Sequence, residues 1–170
     1  MKIISNTSVC LASTLLTFAL AGPLAAEKPV SFRGTLQGQA IDTPQGGPPP
    51  TTLSVDGTVT GIATHLGRFT YRYQVTVNIA AGSPTAGSAT GTGQMIAANS
   101  DTIFLTISGQ GVPTDTPGVS SIEEINTITG GTGRFAGVRG NMIIERLVDM
   151  ATGATSGSFH GTMSTPGSAH

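Results

Sequence analysis

The strongest structural signal in the sequence is residues 68–79, RFTYRYQVTVNI, in which apolar and polar side chains alternate without a break. Successive side chains of a strand point to opposite faces, so this period of two predicts a strand with one buried face and one exposed face. The predicted buried face carries Tyr71 and Tyr73, flanked by phenylalanine, valine and isoleucine. Residues 30–40 alternate in the same way and predict a second strand.

Strand patterns continue along the rest of the chain. Six more strands are predicted at 53–64, 86–97, 102–109, 119–129, 141–149 and 155–164. Loops are predicted at 42–50 (DTPQGGPPP) and 113–118, and short hairpin connections at 81–84, 99–100 and 151–153. Nothing after residue 26 has the periodicity of an amphipathic helix. The eight strands predict an all-β protein, either a closed antiparallel barrel or a sandwich.

Glycines inside the predicted strands favour the barrel. The sequence has 24 glycines, and several fall within strands, where glycine is normally unfavourable but serves at bends and tight corners. The tetrapeptides FRGT at 32–35 and FHGT at 159–162 lie in the first and last strands. If the barrel closes, these strands are neighbours and a small glycine site can face a bulky phenylalanine across the seam. Chance similarity of the two tetrapeptides is the alternative.

The first 26 residues have the pattern of a secretory signal peptide. Lys2 supplies a positive start, residues 9–21 form an apolar stretch too short to cross a bilayer, and small residues precede Glu27. We expect cleavage after Ala26, with Ala21 as the alternative site and an N-terminal membrane anchor as the alternative role. The protein is expected to be secreted or periplasmic. Residues 27–170 are expected to form a single barrel domain, with no membrane span in the mature chain.

Cysteine, histidine and charge narrow the possible functions. The single cysteine, Cys10, lies in the predicted signal peptide, which excludes thiol catalysis and cysteine-bound zinc from the mature chain. The three histidines lack metal-ligand spacing, and we expect no metal and no other cofactor. Eight Lys and Arg against nine Asp and Glu give a net charge of −1. This balance predicts neither a nucleic-acid partner nor a polybasic patch for anionic lipid.

The segment 129–140, TGGTGRFAGVRG, is the most distinctive local motif. Its G-x-G-x-x-x-G spacing differs from that of a dinucleotide-binding loop, and a strand follows it where such a loop requires a helix. We therefore predict a structural turn in which one helical turn carries Phe135 into the mouth of the barrel, where its side chain is buried. The glycines of this turn are Gly130, Gly131, Gly133, Gly137 and Gly140.

This motif resembles the matching stretch of plant allene oxide cyclases and dirigent proteins. The whole mature chain, including residues 61–69 (GIATHLGRF) and the Thr152-Gly153 hairpin, resembles uncharacterised exported bacterial proteins related to them. The resemblance implies an eight-stranded, antiparallel, calycin-like β-barrel with a central cavity, often trimeric in the plant members. The matching positions build the fold, so the resemblance assigns no catalytic residue to this chain.

Two charged dipeptides, Glu123-Glu124 and Glu145-Arg146, lie within predicted strands. Adjacent strand residues face opposite ways, so one member of each pair must point inward unless a bulge intervenes. The apolar neighbours of the same parity favour Glu124 and Arg146. We predict that these two side chains pair inside the barrel, and their distances from the two ends of the 130–140 turn place them roughly opposite each other. A structural salt bridge without a further role, or a surface pair, is the alternative.

The leading functional hypothesis is an exported barrel that binds a small apolar molecule in its cavity, without established catalysis. The candidate cavity residues are Glu124, Arg146, Tyr71, Tyr73 and Met142. A cyclase or isomerase resembling the two plant families is one alternative. A structural barrel with a filled interior, whose outer surface mediates self-association or envelope contacts, is the other. A cavity on the order of a few hundred Å³ favours ligand binding, and a filled interior favours the structural role.

Overall fold

The computed structural model describes residues 28–83 and 86–166. The predicted signal peptide, its cleavage site and Cys10 lie outside the described residues. The described chain is built almost entirely of strands, and a single 3₁₀ turn covers Gly133–Phe135. The strands are β1 (Val30–Gln45), β2 (Thr52–Ala63), β3 (Gly67–Ile79), β4 (Gly87–Ala97), β5 (Thr102–Pro113), β6 (Val119–Gly131), β7 (Gly140–Asp149) and β8 (Ala154–Met163).

These strands form a closed antiparallel barrel in simple sequence order. Each strand pairs with the next, and β1 completes the ring by pairing with both β2 and β8. The predicted eight-stranded barrel is therefore confirmed, and the sandwich is not formed. The prediction of a loop at 42–50 was wrong in its first part, because β1 continues through Gln45, which pairs with Thr52. Pairing to a long neighbouring strand outweighs the turn-like composition of these residues.

The predicted faces are also confirmed. In β3 the residues Phe69, Tyr71, Tyr73 and Val75 are buried, while the alternate residues Arg68, Arg72 and Gln74 are exposed. The inward side chains of all eight strands merge into one core that fills most of the barrel. The interior is thus a packed core, as expected for a barrel of eight strands.

The seam between β1 and β8 has the arrangement that the two tetrapeptides predicted. Phe32 lies opposite Gly161, and Gly34 lies opposite Phe159. The rings of Phe32 and Phe159 are 5.1 Å apart between centroids. A Cβ atom added to Gly34 would lie 2.8 Å from Cζ of Phe159, so only glycine leaves room for this ring. The glycine–phenylalanine pairs therefore close the barrel.

The two ends of the barrel differ. At one end, here called the plugged end, the connection between β6 and β7 folds inward and places Phe135 at 0% exposure. Gly133 has a φ of +55°, and a Cβ on it would collide with the carboxylate of Asp101. Asp101 also accepts a hydrogen bond from the amide of Arg134, at 3.3 Å. The predicted turn, with its buried Phe135, is confirmed.

At the other end, here called the open end, β1 finishes, β2 begins, and a small cavity enters the barrel. In the part of the chain that the structure describes, no helix is both long and apolar enough to cross a membrane.

Candidate functional site

The site is organised around a buried ion pair inside the barrel. Glu124 on β6 and Arg146 on β7 are 2% and 8% exposed. The guanidinium donates from Nη2 to Oε1 of Glu124 at 2.8 Å and from Nε to Oε2 at 3.4 Å. The predicted inward orientation and the predicted contact are both confirmed. The two residues are not directly opposite each other in the ladder. Arg146 is paired with Ile122, and its side chain reaches Glu124 diagonally.

Backbone regularity and small neighbours make this pair possible. The β6–β7 ladder has no register shift, and the shift in the β5–β6 ladder lies at Phe104/Leu105, well away from Glu124. A Cβ on Gly109 would approach Cγ of Glu124 to 2.7 Å, and one on Gly157 would approach Cβ of Arg146 to 2.6 Å. Glycines on the flanking strands thus provide the space that the two long side chains occupy.

Arg146 has further partners that fix its position. Its Nη1 donates to Oγ1 of Thr155 at 3.2 Å, and Thr155 in turn donates to the carbonyl of Leu147 at 2.9 Å. The guanidinium lies over the ring of Tyr73, 5.1 Å from its centroid, a cation–π contact. Burial lowers the pKa of Arg146, but the carboxylate of Glu124 and the neighbouring tyrosines outweigh it, so the net shift is upward. Arg146 therefore remains charged inside the barrel.

Two neighbouring tyrosines differ in how their hydroxyls are satisfied. Tyr71 donates to Oδ1 of Asn126 at 3.1 Å. The hydroxyl of Tyr73 is buried and has no hydrogen-bond partner of acceptable geometry among the described residues. Burial raises the pKa of Tyr73, with the positive charge of Arg146 acting in the opposite direction. The guanidinium of Arg146 can only donate a hydrogen bond, so the O–H of Tyr73 is a buried donor without an acceptor among the described residues.

The cavity at the open end leads to this pair. Its volume is about 70 Å³. Glu124 and Arg146 lie among its lining residues, and most of the wall is apolar, including Val55, Val75, Val77 and Val148. A water molecule in liquid occupies about 30 Å³, so the cavity has room for about two waters or a short branch of a ligand. It is well below the few hundred Å³ that would hold a whole drug-sized molecule.

Asp42 is a lining residue that the sequence analysis missed. The sequence predicts it in the 42–50 loop, but it lies on the extended end of β1 and lines the cavity. Burial raises the pKa of its carboxyl group, and the positive charge of Arg146 opposes that rise. Parity was the available signal, because Asp42 shares it with the inward residues Phe32, Leu36 and Ala40.

The remaining predicted cavity residues are in the interior but away from the opening. Tyr71 and Met142 are each 1% exposed, and Met142 lies opposite Gly161 on β8. Neither lines the cavity, and Tyr73 is connected to it through its contact with Arg146. Ser120 at the cavity wall and Thr155 behind Arg146 are polar groups that sequence reasoning did not single out. Among the described residues, no group of three histidine, cysteine or acidic side chains could hold a metal ion.

Comparison with known proteins identifies the fold. No family model and no curated protein matches this chain. Among solved structures, the barrel superposes on the pterocarpan synthase dirigent protein GePTS1 with a TM-score of 0.52 and 15% identity, covering 90% of this chain and 99% of that one. The pterocarpan synthase dirigent protein PsPTS1 gives a TM-score of 0.54 and 16% identity, covering 84% and 99%. The predicted resemblance to dirigent-type barrels is confirmed at the level of fold.

Proposed function

We propose that this protein is exported and binds a small, largely apolar molecule at the open end of its barrel, without itself catalysing a reaction. The observation that carries the proposal is the unsatisfied hydroxyl of Tyr73, buried against Arg146. A buried polar group without a partner is costly, and such groups in natural proteins usually have a functional reason. Tyr73 does not itself line the cavity, but Arg146, whose guanidinium lies over the Tyr73 ring, does. A ligand oxygen or nitrogen that reaches past this guanidinium would accept the missing hydrogen bond from the Tyr73 hydroxyl.

The size and lining of the cavity define how such a ligand would sit. With about 70 Å³ available, only a short substituent enters the barrel, and the rest of the molecule lies at the mouth. The valine-rich wall of the cavity suits an apolar substituent. The charged side chains of Glu124 and Arg146, which also line the cavity, suit one hydrogen-bonding atom at the end of that substituent. The likeness to two dirigent proteins named as pterocarpan synthases agrees with a role in small-molecule chemistry.

Native mass spectrometry of the protein purified from its own host tests the proposal. We expect a co-purifying small molecule on the wild type, a markedly lower occupancy on Tyr73→Phe, and wild-type occupancy on the matched control Tyr71→Phe. The same spectrum reports oligomer size, which the resemblance to plant members leads us to expect as a trimer. A protein that is ligand-free in every preparation, or equal occupancy on Tyr73→Phe, would contradict the proposal.

A cyclase or isomerase is the second candidate, favoured by the position of Asp42. Its carboxyl group lines the cavity, and burial raises its pKa, which is the change that suits a proton donor. If the protein is an enzyme, Asp42→Asn would abolish turnover of the co-purified ligand while leaving its occupancy in the mass spectrum intact.

A structural, self-associating barrel is the third candidate, favoured by the largely filled interior. It is also favoured by the exposed apolar side chains Ile125, Ile143 and Leu147, which lie on the outer face of the neighbouring strands β6 and β7. This role predicts an oligomer without ligand, dissociated by Ile125→Ser and Leu147→Ser. Native mass spectrometry separates it from the first two candidates.

A further inference from the structure

The fold separates the surface charges of this protein by end, although the net charge is only −1. We divide the barrel into two halves at the midpoint of each strand and assign each connection to the end at which it lies. Among the described residues, every exposed cation then falls in the half that contains the plugged end. These cations are Lys28, Arg33, Arg68, Arg72, Arg134 and Arg139. Among residues 28–83 and 86–166, the same half carries a single carboxylate, Asp101.

The remaining carboxylates lie in the opposite half. Six described carboxylates fall in the half that contains the open end: Asp42, Asp56, Asp115, Glu123, Glu145 and Asp149. Only the buried Arg146 lies on that side as a cation, and its charge is matched by Glu124. The overall charge does not reveal this distribution, because strand direction places most of the two signs in different halves of the barrel.

The cations at the plugged end are largely without acidic neighbours. Among the described residues, the ion pairs are Arg134 with Asp101, at 3.8 Å, and the buried pair of Arg146 with Glu124. Arg33, Arg68 and Arg139 lie at the start of β1, at the start of β3 and just before β7, so the basic residues are distributed around the rim. The outer surface of the plugged half therefore carries an excess of positive charge among the described residues.

Both halves of the barrel expose apolar side chains, with Ile41, Val112 and Leu147 in the open half, so the two ends are distinguished by charge. In the plugged half the exposed apolar side chains lie among the cations. Ile62 is 58% exposed and faces Arg68 across the β2–β3 ladder. Phe104, near the start of β5, is 37% exposed, and Ile143 in β7 is 36% exposed. Basic and apolar side chains on one surface suit the interface of an anionic bilayer, where cations meet headgroups and apolar groups enter the headgroup–acyl boundary. Phe104 is the only exposed aromatic residue in the described surface, so the surface lacks the stacking platform of a single-strand nucleic-acid binder.

We propose that the plugged end docks on an anionic phospholipid surface, with the open end directed away from it. The cations of the plugged half attract the anionic headgroups. The carboxylates of the open half are repelled by the same headgroups, which disfavours docking by the open end. The docking leaves the cavity accessible from the water, so it is independent of which small molecule the cavity binds. The proposal does not rest on ligand binding and fails or holds separately from it.

Sedimentation with phospholipid vesicles tests the proposal. We expect the protein to bind vesicles that contain phosphatidylglycerol, to bind phosphatidylcholine vesicles weakly or not at all, and to be released by salt. Each cation near the surface strengthens partitioning by about fivefold, so the variant Arg33→Gln/Arg68→Gln/Arg139→Gln should bind about a hundredfold more weakly. The matched control Asp115→Asn/Glu123→Gln/Glu145→Gln removes as many charges from the open half and should bind at least as well as the wild type.

Two results would overturn the proposal. One is equal vesicle binding by the arginine variant and the wild type, with thermal midpoints showing that both are folded. The other is that the protein fails to bind phosphatidylglycerol vesicles at low salt. If it instead binds duplex DNA, or associates with itself in a salt-dependent way, the cations serve a different partner and the proposal is also overturned.

Discussion

At the scale of single residues, Tyr71 and Tyr73 have nearly the same surroundings and different hydrogen bonding. Their rings are 5.1 Å apart, but among the described residues the Tyr71 hydroxyl donates to Asn126 while the Tyr73 hydroxyl has no acceptor. Removing the Tyr71 hydroxyl leaves Asn126 without that donor and should lower the free energy of unfolding by about 1–3 kcal/mol. Removing the Tyr73 hydroxyl relieves an unsatisfied group, so Tyr73→Phe should be neutral or stabilising. Urea denaturation of both variants without ligand measures the difference, and equal losses would show that Tyr73 has a partner.

The pair of Glu124 and Arg146 should be strongly coupled. Removing one member leaves the other buried and uncompensated, which typically costs about 3–5 kcal/mol. Glu124→Gln and Arg146→Met should therefore each be destabilising, and the double variant should lose much less than the sum of the two. A double-mutant cycle from denaturant midpoints and slopes gives the coupling. Additive losses would mean that the contact contributes nothing to stability.

Asp42 should make stability depend on pH in the opposite sense to an ordinary surface carboxylate. Burial raises the pKa of its carboxyl group in the folded state above the ordinary aspartate value of 3.8, so the native protein holds this proton more tightly than the unfolded chain. Its contribution to stability is therefore greatest at low pH and decreases as the pH rises from 3.8 through the raised pKa. Asp42→Asn should be relatively more stable than the wild type at neutral pH, and the advantage should shrink toward acid. Thermal midpoints across pH test this, and a constant difference would contradict it.

At the scale of elements, the β6–β7 connection acts as a plug because one large side chain is held by a short turn. The amide of Thr132 donates to the carbonyl of Thr102 at 2.8 Å, which anchors the connection to β5. Phe135 is fully buried behind it, so Phe135→Ala should lower the free energy of unfolding by about 3–5 kcal/mol. The exposed neighbour Arg134→Ala is the control and should cost much less. An unchanged denaturation midpoint for Phe135→Ala would show that the ring contributes no packing.

Most of the strands could be predicted because the pleat has a strict period of two. That period also assigned Glu124 and Arg146 to the interior, since the β6–β7 ladder has no bulge. The cavity residue Asp42 was missed because its neighbours in sequence have turn composition, while its place in β1 is decided by pairing with Val55. The separation of charge by end was also hidden, since it depends on the direction of each strand and on closure of the barrel.

At the scale of the whole molecule, closure leaves no strand edge and gives the barrel two unlike ends. Phe135 and a rim of cations define one end, and the cavity with Asp42 defines the other. The same register that brings Phe32 to Gly161 keeps β1 in place between β2 and β8. The integrity of β1 is therefore a condition for both the plug and the cavity.

This dependence on β1 leads to the last prediction, which concerns export. The barrel begins at Val30, which pairs with Met163, and Thr165 donates to the carbonyl of Lys28 at 3.2 Å. Cleavage after Ala26 would therefore leave every described contact intact, so a chain beginning at Glu27 should keep its thermal midpoint. A chain beginning at Gly34 loses Phe32 from the seam and should be strongly destabilised, because burial of a whole phenylalanine and the first pairs with β8 are removed. N-terminal sequencing of the protein recovered outside the cytoplasm should give Glu27 as the first residue. An intact Met1 on that protein would contradict cleavage, and a start beyond Val30 would contradict the requirement for a complete β1.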